Sequence, residues 1–171
     1  MLQRLVMTGG LMLLALTAGC PRVVDDGLEE NDTRDQATAI EFGQPIEARG
    51  VQSDDDVFVL SISPTDLDTP GVGRTLQLTF ETLGGEVCPA FTLVGPGDQI
   101  LYADQQPYCR SIADDPVAVP GASLTQTDTG FLLVAPVTDA GAYYITVREL
   151  GHADNIFDYI WQYRLTATLV E

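Results

Sequence analysis

Apolar and polar residues alternate along several segments of the chain from about residue 37 onward. An alternation with a period of two directs every second side chain to one face of an extended strand. The alternating apolar residues are Val57, Val59 and Leu60 to Ile62; Leu76, Leu78 and Phe80; Tyr143, Ile145 and Val147; and Trp161, Tyr163, Leu165, Ala167 and Leu169. No segment of comparable length shows a helical period, so the pattern predicts an all-β fold.

Segments rich in Gly, Pro, Asp and Ser separate the predicted strands. They include residues 63–73, 95–98, 136–142 and 151–155, and these residue types favour turns. We therefore expect about eight antiparallel strands at short spacing, arranged as a β-sandwich or jelly roll. Residues 103–129 break this spacing because they are rich in Asp, Pro, Gln and Ser, and they are predicted to form a long loop.

The first 19 residues have a different composition from the rest of the chain. They contain one cation, Arg4, no acidic residue, and a mostly apolar run from Leu5 to Leu16. These features are typical of a secretory signal peptide. Residues 16–20, LTAGC, resemble the lipobox of bacterial lipoproteins, which implies acylation of Cys20 and cleavage before it. The alternative is an ordinary signal peptide with Cys20 as a free thiol.

Lipidation of Cys20 would determine both the domain organisation and the location of the protein. We expect a signal peptide at 1–19, the lipidated Cys20 with an acidic linker at 20–36, and a β-sandwich domain at 37–171. Two or three acyl chains would tether the protein to a membrane of the bacterial cell envelope. Pro21 replaces the Asp that is associated with inner-membrane retention, so the outer membrane is favoured over the inner membrane. Whether the domain faces the periplasm or the cell surface stays open.

The cysteine count supports this assignment. The chain has three cysteines, which leaves an odd one in an oxidising compartment. If Cys20 is acylated, Cys88 and Cys109 remain as a pair. A disulfide bond between them would close a loop of about 20 residues and contribute about 3 kcal/mol of stability. The alternative is two free thiols.

Charge and residue inventory exclude several function classes. The chain carries 25 Asp plus Glu against 8 Lys plus Arg, a net charge of −17, whereas nucleic-acid binding needs clustered cations. His152 is the sole histidine and lysine is absent, which removes most general-base and Schiff-base chemistry. Neither a GxSxG nor an HExxH motif is present. The protein is therefore not expected to be an enzyme.

Four segments together resemble the bacterial pre-peptidase C-terminal domain. They are EENDTRDQATAI at 29–40, DDDVF at 54–58, GAYYITV at 141–147 and YRLTATL at 163–169. The resemblance runs across about residues 28–170, and it implies a β-sandwich related to the collagen-binding domains of bacterial collagenases. That family usually accompanies secreted peptidases. Collagen binding itself is not expected here, because no matching aromatic surface residues can be identified.

Two acidic clusters suggest a metal site. Glu29, Asn31 and Asp32 place three oxygen donors within four residues, and residues 54–56 place three more. Packed carboxylates repel one another, so a site that joins both clusters would need a cation, and Ca²⁺ takes six to eight oxygen ligands. The resemblance to the collagen-binding relatives implies the following Ca²⁺ ligands: Glu29, Asn31, Asp32, Asp54 and Asp56. The alternative is solvated loop charges, with Asn31 or Asp32 capping a turn.

These expectations combine into a membrane-anchored, non-enzymatic binding or accessory module that calcium stabilises. Its loops would face a protein or polysaccharide partner in the envelope. Trp161 and Tyr163 either fill the core or form an exposed aromatic platform. One alternative function is a hydrolase with a carboxylate-based site in the 103–129 loop. Another is a structural lipoprotein whose acidic surface only provides solubility.

Overall fold

The computed structural model describes residues 28, 30–51, 55–67, 73–84, 89–104, 116–149 and 160–171. These residues form eleven strands: β1 Thr38–Ile40, β2 Ile46–Val51, β3 Asp55–Ile62, β4 Arg74–Gly84, β5 Pro89–Val94, β6 Ile100–Ala103, β7 Val117–Ala118, β8 Ser123–Thr127, β9 Gly130–Val137, β10 Gly141–Glu149 and β11 Ile160–Val170. Two short 3₁₀ turns are also described, at Arg34–Gln36 and Pro96–Asp98.

The strands form two sheets that enclose one apolar core. Sheet A has the strand order β1-β3-β10-β5-β6-β7, and sheet B has the order β2-β11-β4-β9-β8. The predicted all-β sandwich is therefore confirmed. The arrangement differs from about eight antiparallel strands in two respects: eleven strands are described, and β1 pairs with β3 in parallel. The additional strands are short edge strands that carry little alternating hydrophobic signal.

Alternate residues of the long strands face the core, because side chains along a strand point to opposite sides of the sheet. The fully or almost fully buried residues include Leu76, Leu78 and Phe80 on β4, Tyr143, Ile145 and Val147 on β10, and Trp161, Tyr163, Leu165 and Ala167 on β11. These faces are the ones predicted from the alternation. Leu169, at the end of the β11 series, is only partly buried against the core.

Strand β3 has its inward face in a different phase from the one predicted. Its core-facing residues are Asp56, Phe58, Leu60 and Ile62, which lie opposite the inward residues of β10. Val57 faces the other side of the sheet but is still only 3% exposed, and its backbone N–H donates to the backbone carbonyl of Asn31. Asp55 and Asp56 lie within the strand and not before it.

The region 103–129 is not one long loop. Strands β7 and β8 lie inside it, and β7 pairs with β6 while β8 pairs with β9. Neither strand has a buried face, since β7 is exposed and only Leu124 of β8 packs against the core. A mostly exposed edge strand needs no apolar alternation, which explains why the sequence pattern did not reveal these two strands. Residues 105–115 of this region lie outside the described part.

The segment before β1 packs on the sandwich, although residues up to 36 were expected to be a linker. Leu28 packs against the core and Asn31 is fully buried. Arg34 lies over the ring of Tyr144, 5.1 Å from its centroid, within the range of a cation–π contact. The packed region therefore begins before residue 37. Within the described ranges, no helix is long and apolar enough to cross a membrane.

The sandwich has two ends, which we name by their position relative to Asn31. The proximal end holds Asn31, the start of β3 and the β8–β9 turn at residues 128–129. The distal end holds the end of β3, the start of β10 and the connections at 95–99, 119–122 and 138–140. The register of β10 against β3 places Gly141 beside Ile62 and Arg148 beside Asp55, which puts the two ends at opposite ends of the same strands.

Candidate functional site

A buried polar cluster, consisting of Asn31, Asp56, Trp161 and Tyr163, lies at the proximal end of the core. Asn31 is fully buried and Asp56 is 2% exposed. The Asn31 Nδ2 amide donates to Asp56 Oδ1 at 3.4 Å, and the Tyr163 hydroxyl donates to Asp56 Oδ2 at 2.6 Å. The two donors offset part of the cost of removing the Asp56 carboxyl group from water.

The cluster also contains two polar atoms without partners. Trp161 stacks on Tyr163 with ring centroids 4.3 Å apart, and both residues are fully buried. The indole Nε1 of Trp161 and the Oδ1 of Asn31 are buried and have no hydrogen-bond partner among the described residues. The two aromatic side chains are therefore core residues and not an exposed platform. A buried acceptor without a donor costs about 1–3 kcal/mol, so the Asn31 oxygen is a place where an additional cation would be stabilising.

The structure brings together two of the five predicted calcium ligands, Asn31 and Asp56. Asp32 is exposed, and Glu29 and Asp54 lie outside the described residues. Across the described ranges, no group of three or more His, Cys, Asp or Glu side chains is placed to hold a metal ion. Asn31 Oδ1 and the Asp56 carboxyl group are oxygen ligands of the kind that Ca²⁺ takes, so the donor set fits this cation in chemistry, with further oxygens required.

Surface arginines form ion pairs with carboxylates. The pairs are Arg34 with Asp98, Arg148 with Asp55, and Arg164 with Glu47 and Glu81. The hydrogen bond to Asp55 raises the pKa of Arg148, and the hydrogen bond to Glu47 is the largest cause of the raised pKa of Arg164. These pairs are largely exposed, so solvent screening leaves them only a small contribution to stability. The paired carboxylates neutralise these arginine charges locally, while the chain as a whole stays acidic.

A pocket of about 160 Å³ opens at the distal end, and we name it the proline pocket. The connections at 95–99, 119–122 and 138–140 and the strands β6, β9 and β10 contribute to its walls. Its lining residues are Pro96, Gln99, Leu101, Val119, Pro120, Pro136, Thr138, Asp139 and Tyr143. Three proline rings and two aliphatic side chains supply the apolar part of the wall, polar groups supply a similar share, and Asp139 is the only residue among the nine that carries a formal charge.

Tight contacts hold the wall of the proline pocket in place. The Tyr143 hydroxyl donates to the backbone carbonyl of Asp139 at 2.6 Å, which fixes the connection between β9 and β10. Gly141 has φ +149°, and a Cβ at this position would lie 2.7 Å from Cγ of Pro96. Only glycine fits so close to the Pro96 ring. The missing side chain at residue 141 therefore lets the connections 95–99 and 138–140 pack directly on each other. The pocket is therefore formed by the fold itself, as binding sites usually are.

Asp139 stands at the rim of the pocket with its carboxylate exposed. The Thr138 hydroxyl donates to Asp139 Oδ2 at 3.0 Å. Asp139 forms no ion pair with a described arginine. Burial raises the pKa of Tyr143, so its phenol stays neutral at physiological pH and adds no charge to the pocket.

Asp104 bears on the alternative of a carboxylate-based hydrolase. Its Oδ2 accepts from the backbone N–H of Phe91 at 2.8 Å, and its Oδ1 accepts from the Tyr102 hydroxyl at 2.6 Å. Burial, followed by this hydrogen bond, raises the pKa of Tyr102. Asp104 thus joins the ends of β5 and β6. The other described carboxylate of residues 103–129, Asp128, is exposed in the β8–β9 turn. The described residues give this alternative no specific support.

Several sequence predictions fall on residues outside the described part of the chain. They concern the lipidated Cys20, the disulfide between Cys88 and Cys109, and the role of His152 as a loop residue. The signal peptide at 1–19 lies outside as well. All of them stay predictions.

No family model and no curated protein matches the chain. Membership of the pre-peptidase C-terminal family therefore stays a prediction. Among solved structures, the chain is similar to the crystal structure of Aeromonas hydrophila PliG, a periplasmic lysozyme inhibitor of g-type lysozyme. The TM-score is 0.43 at 13% sequence identity, and the similarity covers 77% of this chain and 96% of that chain.

Sequence reasoning missed the proline pocket and the partnership of Asp56 with Tyr163. The segments 95–98 and 136–142, which contribute to the pocket, were recognised only as turns. A signal was present, since two prolines and an aspartate lie in connections that a sandwich gathers at one end, and Pro136 lies near the end of β9. Asp56 and Tyr163 are 107 residues apart, and no local pattern links them.

Proposed function

We propose that the protein is a lipid-anchored, non-enzymatic binding module of the bacterial envelope that contacts a protein partner through its distal end. The observation that carries the proposal is the preformed proline pocket at the end opposite to Asn31. The wall of this pocket is fixed by direct packing and a buried hydroxyl, as a recognition surface requires. The predicted anchor at Cys20 precedes Asn31 in the sequence, so the tether would reach the domain through the segment that holds Asn31.

The position of the two ends supports a role at a membrane surface. Val57 contacts Asn31 at the proximal end, and Ile62 lies beside Gly141 at the distal end. Ile62 lies five residue positions after Val57 along β3, which is about 17 Å at about 3.3 Å per residue. A chain that is tethered before Leu28 would approach the membrane with its proximal end. The proline pocket would then be available to a partner in the envelope.

Occlusion of the pocket tests the proposal. Thr138 is exposed at the rim, so Thr138→Trp would cover the opening without entering the core. We expect this variant to lose a protein that the wild type retains when both are purified from envelope fractions after chemical cross-linking. Thr125→Trp is the matched control, because Thr125 is exposed on the edge strand β8. Equal recovery of partners by all three proteins would contradict the proposal.

The anchor is tested by mass spectrometry of the envelope protein. We expect an N-terminal Cys20 with attached acyl chains, and we expect Cys20→Ser to release the protein from the membrane fraction. Because Cys20 lies outside the predicted β-sandwich domain, the substitution should leave the melting temperature of that domain unchanged. An unmodified Cys20 in the wild-type protein would show that the leader is an ordinary signal peptide.

Calcium binding beside the buried polar cluster is a further part of the proposal. The unpartnered Oδ1 of Asn31 next to the Asp56 carboxyl group supports it. A cation that binds only the folded state at ten times its Kd stabilises it by about 1.4 kcal/mol. We therefore expect millimolar Ca²⁺ to raise the melting temperature by about 3–6 °C over that in chelator.

Substitution of Asp32 distinguishes a loss of calcium binding from a general loss of stability. Its side chain is exposed, so Asp32→Ala should leave the melting temperature in chelator unchanged and abolish the rise with Ca²⁺. Asp35→Ala is the control, since Asp35 is also exposed and lies three residues further along the chain. Identical melting curves of the wild type with Ca²⁺ and with chelator would refute calcium binding.

A further inference from the structure

We infer that the proline pocket receives a basic side chain, arginine or lysine, from a protein partner of net positive charge. The inference rests on the proposed function and specifies the chemistry of the partner at the distal end. Its basis is the combination of proline and aliphatic side chains in the wall with one exposed carboxylate at the rim.

The size and walls of the pocket favour a single long side chain. Its volume of about 160 Å³ is smaller than the roughly 300–1,000 Å³ of a site for a drug-sized ligand. Arginine and lysine have aliphatic stems that bury against apolar surface while the charged group stays near water. Leu101, Val119 and the proline rings would contact such a stem.

Asp139 supplies the charge complement for the end of that side chain. Thr138 donates to Asp139 Oδ2, which leaves Oδ1 available to accept from a guanidinium or ammonium group. The bond from Tyr143 to the backbone carbonyl of Asp139 holds the carboxylate at the rim. No arginine lines the pocket, so no cation of its own wall competes for Asp139.

The charge of the whole molecule favours the same class of partner. The chain has a net charge of −17, and Arg34, Arg148 and Arg164 are each paired with carboxylates in the described structure. An acidic surface of this kind attracts basic proteins and accelerates their association at low salt. An acidic partner would be repelled, and an uncharged apolar side chain would leave Asp139 without a counter-ion.

The test uses blocked tripeptides of the form acetyl-Gly-X-Gly-amide, in which X is arginine, lysine, citrulline or norleucine. Each is titrated into the purified protein to millimolar concentration while backbone amide shifts are followed by NMR. We expect the arginine and lysine peptides to shift the amides of Leu101, Asp139 and Ala140. Citrulline and norleucine, which lack the charge, should bind more weakly.

The second part of the test repeats the titration with the Asp139 carboxylate substituted. We expect Asp139→Asn to weaken binding of the arginine peptide about three- to fivefold, which is the size of an exposed ion pair. Asp128→Asn, an exposed carboxylate at the proximal end, should leave it unchanged. Equal binding of the norleucine peptide, an unchanged affinity of Asp139→Asn, or no shifts at the distal end would each overturn the inference. The peptide experiments can fail while Thr138→Trp still does not retain a cross-linked protein that the wild type retains. In that case the proposed function survives and only the basic occupant is wrong.

Discussion

Gly130→Ala is expected to lower the free energy of unfolding by about 3–5 kcal/mol, because the position has no room for a side chain. A Cβ at residue 130 would lie 1.9 Å from the backbone oxygen of Phe80 and 3.1 Å from the backbone nitrogen of Thr82. Backbone atoms of the central strand β4 cannot move aside as the end of a flexible side chain can. The φ of Gly130 is +153°, which other L-amino acids rarely adopt.

The position of Gly130 explains why the clash has a large effect. It begins β9, pairs with Glu81 of β4, and follows the turn whose Thr129 carbonyl accepts from the Thr82 N–H. A shift of residue 130 would therefore disturb the pairing of β9 with β4. Strand β8 reaches the rest of sheet B through β9, so it would be displaced as well.

Gly84→Ala is the matched control for this substitution. Gly84 also lies at an end of β4, but nothing lies within 4 Å of a Cβ built on it, and its φ is not positive. We expect the free energy of unfolding to change by less than about 0.5 kcal/mol. Urea denaturation of both variants measures the difference. A Gly130→Ala protein as stable as the wild type would contradict the described approach of β9 to β4.

Asp56→Ala is expected to destabilise the protein by about 3 kcal/mol, because it removes the acceptor for two buried donors. The Tyr163 hydroxyl and the Asn31 amide both donate to this carboxyl group. Neither donor can turn to water, since Tyr163 and Asn31 are fully buried. The measurement is urea denaturation in chelator, so that calcium binding does not contribute.

Tyr163→Phe identifies which contact carries the effect. It keeps the ring in the core and removes only the hydroxyl, and we expect a loss of about 1–2 kcal/mol. In a double-mutant cycle, the variant that carries both Tyr163→Phe and Asp56→Ala should lose less stability than the sum of the two single losses. The difference should be at least about 0.5 kcal/mol. Asp128→Ala, which removes an exposed carboxylate, should change stability by less than about 0.5 kcal/mol. Full additivity would show that the hydroxyl does not bind Asp56.

Much of the sandwich could be predicted from alternation alone. The inward faces of β4, β10 and β11 were predicted because each has polar residues on one side and apolar residues on the other. Strand β3 could not be predicted in this way, because its outer residue Val57 is apolar and buried and its inner residue Asp56 is polar. Covering an outer face and pairing a buried carboxyl group are tertiary effects that a single strand's sequence does not contain.

The candidate sites show the same limit. Asn31 and Asp56 were both predicted as ligands of one site, and the structure places them in contact across 25 residues of sequence. The proline pocket was not predicted, because its lining residues come from connections and strands between residues 96 and 143 that meet only when both sheets are complete. Turn composition indicated where these connections lie, but not that they share one end.

The binding role of the distal end is tested most directly by photo-cross-linking in intact cells. A photoreactive amino acid would replace Gln99, which lines the proline pocket, and in a separate protein Thr125, which is exposed on β8. The proposed function predicts a discrete cross-linked protein from position 99 and none from position 125. Its yield should fall when Asp139→Asn is added, if a basic side chain occupies the pocket. A cross-linked protein from position 125 alone, or none from either position, would contradict partner binding at the distal end.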